Sequence, residues 1–336
     1  MEIHENFPLK AYNTFSIDAK AKIFNSFSFV EELEEKLMMY SEYPILILGG
    51  GSNILFTKDY DGAVLKNEIK GIELQHEDAD HVYVKVGAGE NWHQFVLHCI
   101  DHNWAGVENL SLIPGNVGAS PIQNIGAYGV ELDDVFWSLE AFHLDERRIH
   151  TFTREDCEFG YRSSIFKERY KDQFAIISVT FQLKKKPIFH TDYGAIAEEL
   201  EKMRVKDLSI QAVSQAVINI RSSKLPDPQK IANAGSFFKN PEVPTEKYET
   251  LKLQFPNIVA YPLAKGTVKL AAGWMIEQCG WKGYRKGDAG CHAKQALVLV
   301  NYGHAKGKEI YDLSEEILQS VKEKFGVLLE REVNVV

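Results

Sequence analysis

The stretch NAGSFFKNP, residues 233–241, sets Ser236 behind a small residue and a glycine and ahead of Phe237 and Phe238. A hydroxyl in that setting is either a loop or helix N-cap acceptor, or a chemical group with close backbone access and apolar shielding from water. Nucleophilic hydrolysis does not suit it, because no GxSxG elbow surrounds it and no His/Asp pair stands nearby. Two glycine-rich segments point to a second kind of chemistry. In LGGGSN, Gly49, Gly50 and Gly51 follow an apolar run and precede Ser52 and Asn53. Successive backbone N–H groups there can converge on an anion such as a pyrophosphate, although a plain tight turn would use the same residues. The segment lacks both GxGxxG spacing with a following helix and a closing GK[ST], which excludes a dinucleotide fingerprint and a P-loop. The longer segment LIPGNVGASPIQNIGAYG, 112–129, interleaves Gly115, Gly118, Gly126 and Gly129 with Ser120, Gln123 and Asn124. Its uncharged residues and Ile113, Ile122 and Ile125 make poor material for a surface loop, whereas a large polar ligand would satisfy its backbone. His98 and His102 lie four apart on an expected helix, but with no HExxH and no third ligand a metal site is not expected.

These residues need elements to hold them. FVEELEEKLMMY predicts an amphipathic helix with Phe29, Val30, Leu33, Leu37 and Met38 on one face, and PILILGGGSNILF a buried strand entering the glycine loop. From about residue 64 to 190 short β-like runs dominate (VYVKV, LEAFHL, FAIISVTFQL), interrupted by the helix-like NWHQFVLHCIDHN and the long glycine-rich segment. Two prolines in RSSKLPDPQK mark a loop. Beyond it helices are expected at about 245–255 and 270–279, and a strand at 295–301. GKEIYDLSEEILQSVKEKFG then predicts a helix with Ile310, Leu313, Ile317, Val321 and Phe325 at helical spacing, before a last strand in LLEREVNVV. The pattern divides into three α+β units, 1–67, 68–225 and 226–325, with 326–336 returning to the first.

The chain has 336 residues, 45% of them hydrophobic and 25% charged, with a formal net charge of -9. That is the composition of a globular protein which needs no staples, and its charge repels nucleic acid and anionic lipid. The four cysteines form no CxxC, which argues against a zinc ribbon or a disulfide framework and fits a reducing cytoplasm. No signal peptide and no apolar run of membrane-spanning length is read, so a soluble cytoplasmic protein is expected; a monomer is expected as well.

Eight blocks occur in order: NTFSI, LGGGSNILF, GAGENWHQFV, GVENLSLIPGNVGASPIQNIGAYGVEL, CEFGYRSSIFK, NAGSFFKNP, KLAAGWMIEQCG and LEREV. In this the chain resembles the UDP-N-acetylenolpyruvoylglucosamine reductases, flavoenzymes of bacterial peptidoglycan precursor synthesis. The resemblance spans almost the whole chain. It implies an α+β fold with a two-part FAD-binding domain of the vanillyl-alcohol-oxidase type, over 1–67 and 68–225, and a C-terminal α+β substrate-binding domain, 226–325. It also implies a reaction in which NADPH reduces the flavin and the flavin reduces the enolpyruvyl double bond, giving UDP-N-acetylmuramate.

The matching positions carry the family's roles only by resemblance. FAD would be embraced by Gly49, Gly50, Gly51, Ser52 and Asn53, and by Ile113, Pro114, Gly115, Gly118, Ala119, Ser120, Ile122, Gln123, Asn124, Gly126, Ala127 and Tyr128. Neither loop has a His or Cys to anchor a covalent flavin. Ser236 matches the proton donor, and Arg162 and Glu332 match the pair that stabilises an enolate-like species. An arginine fork suits a carboxylate, and a glutamate helps an anion only when protonated, which demands a desolvated site. Tyr161, Tyr193, Lys224, Asn240, Tyr261 and Gln295 fall where the family holds the UDP-sugar, Tyr193 marking the subclass with a tyrosine loop over the substrate. Cys291 stands where an aliphatic residue is more usual and is expected to pack. Two other readings stay open on the residues alone: another flavoenzyme of the same fold acting on a small alcohol or sugar, and a flavin-free nucleotide-sugar hydrolase or binding protein.

Overall fold

In a computed structural model of the chain, residues 4–193, 195–263 and 266–336 are described. The elements run β1 (His4–Pro8), β2 (Lys20–Phe27), α1 (Val30–Met39), β3 (Ile45–Leu48), β4 (Ile54–Leu55), β5 (Tyr60–Asn67), β6 (Ile72–Glu77), β7 (His81–Gly87) and α2 (Trp92–Asp101). They continue with β8 (Gly126–Ala127), β9 (Val130–Glu131), β10 (Phe136–His143), β11 (Arg148–Thr153), β12 (Phe174–Lys184), α3 (Ile196–Lys202), α4 (Ile210–Lys224), β13 (Ala232–Ser236), β14 (Glu242–Pro244) and α5 (Thr245–Gln254). The chain closes with β15 (Ala260–Pro262), β16 (Thr267–Leu270), α6 (Ala272–Gln278), β17 (Arg285–Lys286), β18 (Ala289–Cys291), β19 (Val298–Asn301), α7 (Gly307–Phe325) and β20 (Asn334–Val335). Two compact units result. The first comprises the N-terminal segment through Phe7, Ala21–Gly51 and Asp61–Ser223, and the second comprises Pro8–Lys20, Ser52–Tyr60 and Lys224–Val336.

The first unit holds a four-stranded sheet in the order β1-β2-β5-β3 and a five-stranded sheet in the order β11-β10-β12-β7-β6. β3 and β5 run parallel, with Ile47 opposite Leu65, and this strand delivers the chain into the glycine loop. In the larger sheet β12 pairs antiparallel with β10 and β7, and its Phe181 packs against Phe95 and Trp92 of α2. Asn91 caps α2 by accepting the backbone N–H of Gln94 at 3.0 Å.

Two local outcomes differ from the sequence pattern. α1 buries Leu33, Lys36 and Leu37, whereas Phe29 and Met38 are exposed. Phe29 is the extended N-cap residue, outside the helical periodicity, and Met38 is turned about 100° from Leu37. Helices α3 and α4 occupy a stretch where no helix is expected. In α4, Ile210, Val213, Ala216, Val217 and Ile220 recur at three- and four-residue spacing and are buried, a helical face interrupted by Ser214 and Gln215 in the sequence.

Glu108, beside α2, is buried, with one carboxyl oxygen accepting the Gly106 N–H at 2.6 Å. Burial pushes its pKa above the usual carboxylate value, against the hydrogen bonds and His190 and Lys184, which pull it down. Below the unfolded-state pKa both states are protonated and the group costs nothing. As pH rises through that value toward the folded one, the unfolded chain ionises first and stability is lost. Glu108→Gln should therefore raise Tm by roughly 2–4 °C at pH 7.5, a gain that fades toward pH 4. Scanning calorimetry across pH checks this, and a lower Tm for the variant at neutral pH would show that the carboxylate is favoured there.

The second unit is built on the sheet β13-β19-β18-β17, a three-stranded sheet β14-β16-β15, and a parallel β4–β20 pair. α7 buries Ile310, Leu313, Ile317, Val321 and Phe325, the face its spacing predicts, and ends on Gly326 in the left-handed region. β19 begins at Val298, later than the apolar run suggests, because Gln295 to Leu297 form the turn that closes the β18–β19 hairpin, with the Val298 N–H on the Gln295 carbonyl at 3.1 Å. Cys291 packs in this sheet. It is buried, its Sγ lies 3.1 Å from the Ala296 carbonyl, and burial pushes its thiol pKa up to about 12.

Candidate active site

Each unit carries its own constellation. In the first, the two glycine segments meet. A Cβ on Gly50 would stand 2.9 Å from both Gly115 Cα and Asn116 Oδ1, and one on Gly118 would stand 2.5 Å from Ala88 Cβ. Only glycine allows the backbones this close. Asn116 is held by its Nδ2 on the Gly89 carbonyl at 3.0 Å. Among the described residues the backbone N–H groups of Gly50, Gly115 and Asn116 donate to no protein acceptor, so the junction presents neighbouring donors suited to phosphoryl oxygens. This fits the diphosphate of a dinucleotide cofactor.

Further along, buried Asn124 (φ 42) organises the segment. Its Oδ1 accepts the Asp133 N–H, and its Nδ2 donates to Glu131 Oε2 at 2.9 Å and the Gly160 carbonyl at 3.1 Å. Ser120 turns its hydroxyl onto the Val117 carbonyl, and the Ile122 carbonyl accepts from Ser164. Arg162, itself in the left-handed region at φ 53, donates to the carbonyls of Gly126 and Asn124 and lies over the Tyr161 ring at 5.4 Å. Tyr193, half exposed, packs on Gly129, where an added Cβ would lie 3.3 Å from Tyr193 Cβ. Ile113, Pro114, Ala119, Gln123, Ala127 and Tyr128 lie along the same segment, Tyr128 with φ 50.

The sequence reading missed Arg221. Its Nε donates to the Leu112 carbonyl at 3.3 Å, and among the described residues it pairs with no carboxylate. Burial lowers its pKa; Tyr128 opposes this and the like charge of Arg162 adds to it. A half-buried guanidinium that pairs with no carboxylate among the described residues is an arrangement that an anionic ligand would complete. Its only sequence signal is a position in the last turn of an unexpected helix. His98 and His102 stack at 4.2 Å beside Trp104, and among the described residues no group of three metal-ligating side chains occurs.

The second unit brings Ser236 and Glu332 to one place. The Phe237 N–H donates to the Leu297 carbonyl at 2.7 Å, and the Phe237 carbonyl accepts the Glu332 N–H at 2.8 Å, so the residue after Ser236 is held between the hairpin turn and the C-terminal segment. Phe237 and Phe238 are buried, and Phe237 meets Phe15 edge-on. Local chemistry shapes the approach. Buried Asn233 accepts the Gly235 N–H at 2.9 Å while its amide donates to Pro226 and Ile231 carbonyls, and Gly235 takes φ +71. Ser236 follows half-buried, and among the described residues its hydroxyl has no hydrogen-bond partner.

Glu332 is half-buried rather than fully desolvated. Its carbonyl accepts Asn53 Nδ2 at 3.2 Å, and the Asn53 carbonyl accepts the Asn334 N–H at 3.1 Å, both bonds lying within the second unit. Asn240 Oδ1 accepts the Ala272 N–H at 3.0 Å, and Gln295 Oε1 lies 3.1 Å from where a Gly273 Cβ would stand, so both sit at the start of α6. Tyr261, on β15, and Lys224, at the end of α4, are exposed.

Two glycine segments meeting on an α+β scaffold, with a separate unit carrying a serine hydroxyl, have the form of a cofactor-binding protein with a second functional unit. Residues 30–151 match the FAD binding domain family, and residues 227–336 match the family described as UDP-N-acetylenolpyruvoylglucosamine reductase, C-terminal domain. The chain is 52% identical over its whole length to a UDP-N-acetylenolpyruvoylglucosamine reductase of Amoebophilus asiaticus and 51% identical to one of Flavobacterium johnsoniae, each also covered completely. A Pseudomonas syringae pv. tomato relative of the same name is 47% identical over 97% of both chains. The crystal structure of the Thermus caldophilus reductase superposes with a TM-score of 0.68 at 25% identity, covering 100% of this chain and 99% of that one. The chain belongs to the UDP-N-acetylenolpyruvoylglucosamine reductase family.

Proposed function

We propose that the protein is an NADPH-dependent reductase that converts the enolpyruvyl group of UDP-N-acetylglucosamine enolpyruvate to a lactyl ether, giving UDP-N-acetylmuramate in the cytoplasm for peptidoglycan synthesis. The observation that carries this reading is the placement of a free Ser236 hydroxyl one residue from the peptide that holds Glu332. Non-covalently bound FAD supplies the hydride carrier between NADPH and the substrate. The chain's own residues manage position, charge and the proton.

Gly50, Gly115 and Asn116 offer backbone donors to the cofactor diphosphate. Reduction of the double bond at its methylene carbon places negative charge on the neighbouring carbon and its carboxylate. Ser236 delivers its hydroxyl proton to that carbon, with Phe237 and Phe238 excluding water behind it. Arg162 and Glu332 stabilise the charge, the arginine as a planar donor fork. Tyr161, Tyr193, Lys224, Asn240, Tyr261 and Gln295 hold the UDP-sugar. The enzyme works as a monomer and needs neither nucleic acid nor membrane.

The visible spectrum of the purified protein, recorded anaerobically, tests the whole reading. Flavin bands should bleach with NADPH and return on addition of the UDP-linked enolpyruvyl sugar. Bands that stay bleached would remove the substrate assignment, and folded protein that binds no FAD would remove the function.

A further inference from the structure

Glu332 sits on a short segment, so whatever fixes the depth of that segment decides where its carboxyl stands. The preceding residue, Arg331, forms a β-bridge with Phe238, and in extended backbone successive side chains project to opposite sides. Arg331 reaches α7. Its Nε donates to Ser314 Oγ at 2.8 Å, its Nη2 contacts Glu315 Oε1 at 2.5 Å, and its guanidinium lies over the Tyr311 ring at 4.6 Å. Ser314 is fully buried and its hydroxyl is already oriented by the Tyr311 carbonyl at 2.6 Å. The same guanidinium holds the Glu315 carboxyl below the usual carboxylate range.

A lone exposed ion pair would contribute about 0–1 kcal/mol and define little. Three simultaneous contacts on a rigid planar fork instead set both the distance and the twist of the segment against the helix. On its flanks the Lys239 N–H bonds the Glu330 carbonyl and the Glu332 N–H bonds Phe237. These backbone bonds fix register but leave the tilt of the side chain between them open.

We propose that Arg331 is a positioning residue for Glu332: by clamping the C-terminal segment to Tyr311, Ser314 and Glu315 of α7, it sets the placement of the Glu332 carboxyl toward the substrate. The proposal rests on the reading of Glu332 as a substrate-facing group.

The test uses holoenzyme reduced with dithionite and mixed with the UDP-linked enolpyruvyl sugar in a stopped-flow spectrometer. Arg331→Ala should slow flavin re-oxidation about 10- to 100-fold, the loss expected for a displacement of about 1 Å at a reacting group. FAD content and the rate of bleaching by NADPH should stay as in the wild type. Arg331→Lys, which keeps the Glu315 pair alone, should recover part of the rate. Glu315→Ala, on an exposed side chain, should cost a few-fold without threatening the fold. Combining Arg331→Ala with Glu332→Ala should add nothing to the loss from Glu332→Ala. A slow Glu332→Ala beside wild-type rates for Arg331→Ala and Glu315→Ala overturns the positioning role. Parallel decline of both half-reactions in Arg331→Ala overturns it too, since it would reflect a general loss of structure. A wild-type rate for Glu332→Ala removes the reading of Glu332 instead.

Discussion

Ser236→Ala is expected to bind FAD and bleach with NADPH at the wild-type rate, yet to re-oxidise with the enolpyruvyl substrate about 10²- to 10⁴-fold more slowly, the range for loss of a positioned proton donor. The backbone does not depend on the hydroxyl. Gly235 takes its left-handed conformation through the Asn233 hydrogen bond, Phe237 is anchored on both sides by main-chain bonds, and the Ser236 hydroxyl has no protein partner among the described residues to lose. Alanine therefore removes the proton source and little else, so stability should change by no more than about 0.5 kcal/mol. Stopped-flow absorbance separates the two half-reactions. Normal re-oxidation would exclude the serine as donor, and equal slowing of both would place it in flavin binding rather than proton delivery. Cysteine at 236 should restore part of the rate, because a thiol is the stronger acid.

Gly50→Ala should purify folded but colourless. The added Cβ would stand 2.9 Å from Gly115 Cα, a backbone atom that cannot rotate away, and equally close to Asn116 Oδ1. Relief requires the two glycine segments to part, which spreads the N–H donors of Gly50, Gly115 and Asn116 beyond the span of one diphosphate. Loss of those charge-assisted hydrogen bonds should weaken FAD binding at least about 100-fold, or roughly 2.7 kcal/mol. The parting should cost about 1–3 kcal/mol of stability in the first unit. Flavin content after gel filtration is the readout. A variant that retains stoichiometric FAD would show that the junction of the loops is a packing contact rather than a cofactor seat.

Much of the scaffold was legible because it is local. The five apolar residues of α7 repeat at helical spacing and are all buried, and the apolar run 45–48 enters the glycine loop as a strand. Legibility failed where tertiary packing chose among local options. Phe29 looked like part of the α1 face and is instead its exposed N-cap, and β19 starts at Val298 because the Gln295 turn had to close a hairpin onto the Phe237 peptide. α4 escaped because Ser214 and Gln215 break its apolar run, although Ser214 is buried with its hydroxyl 2.8 Å from that of Ser111.

The glycine segments, the NAGSFFKNP stretch and the order of the motif blocks were determined by the sequence alone, since the conformational freedom of glycine and the grouping of small, aromatic and amide residues act over a few neighbouring positions. The structure alone decided which distant residues share a site. Asn53 meets Glu332 across 279 positions, Phe237 meets Glu332 across nearly a hundred, and Arg221 comes to lie by Leu112. No periodicity encodes such pairs. They arise when buried backbone groups must find partners and apolar faces must close on one another, conditions that only the folded chain as a whole can meet.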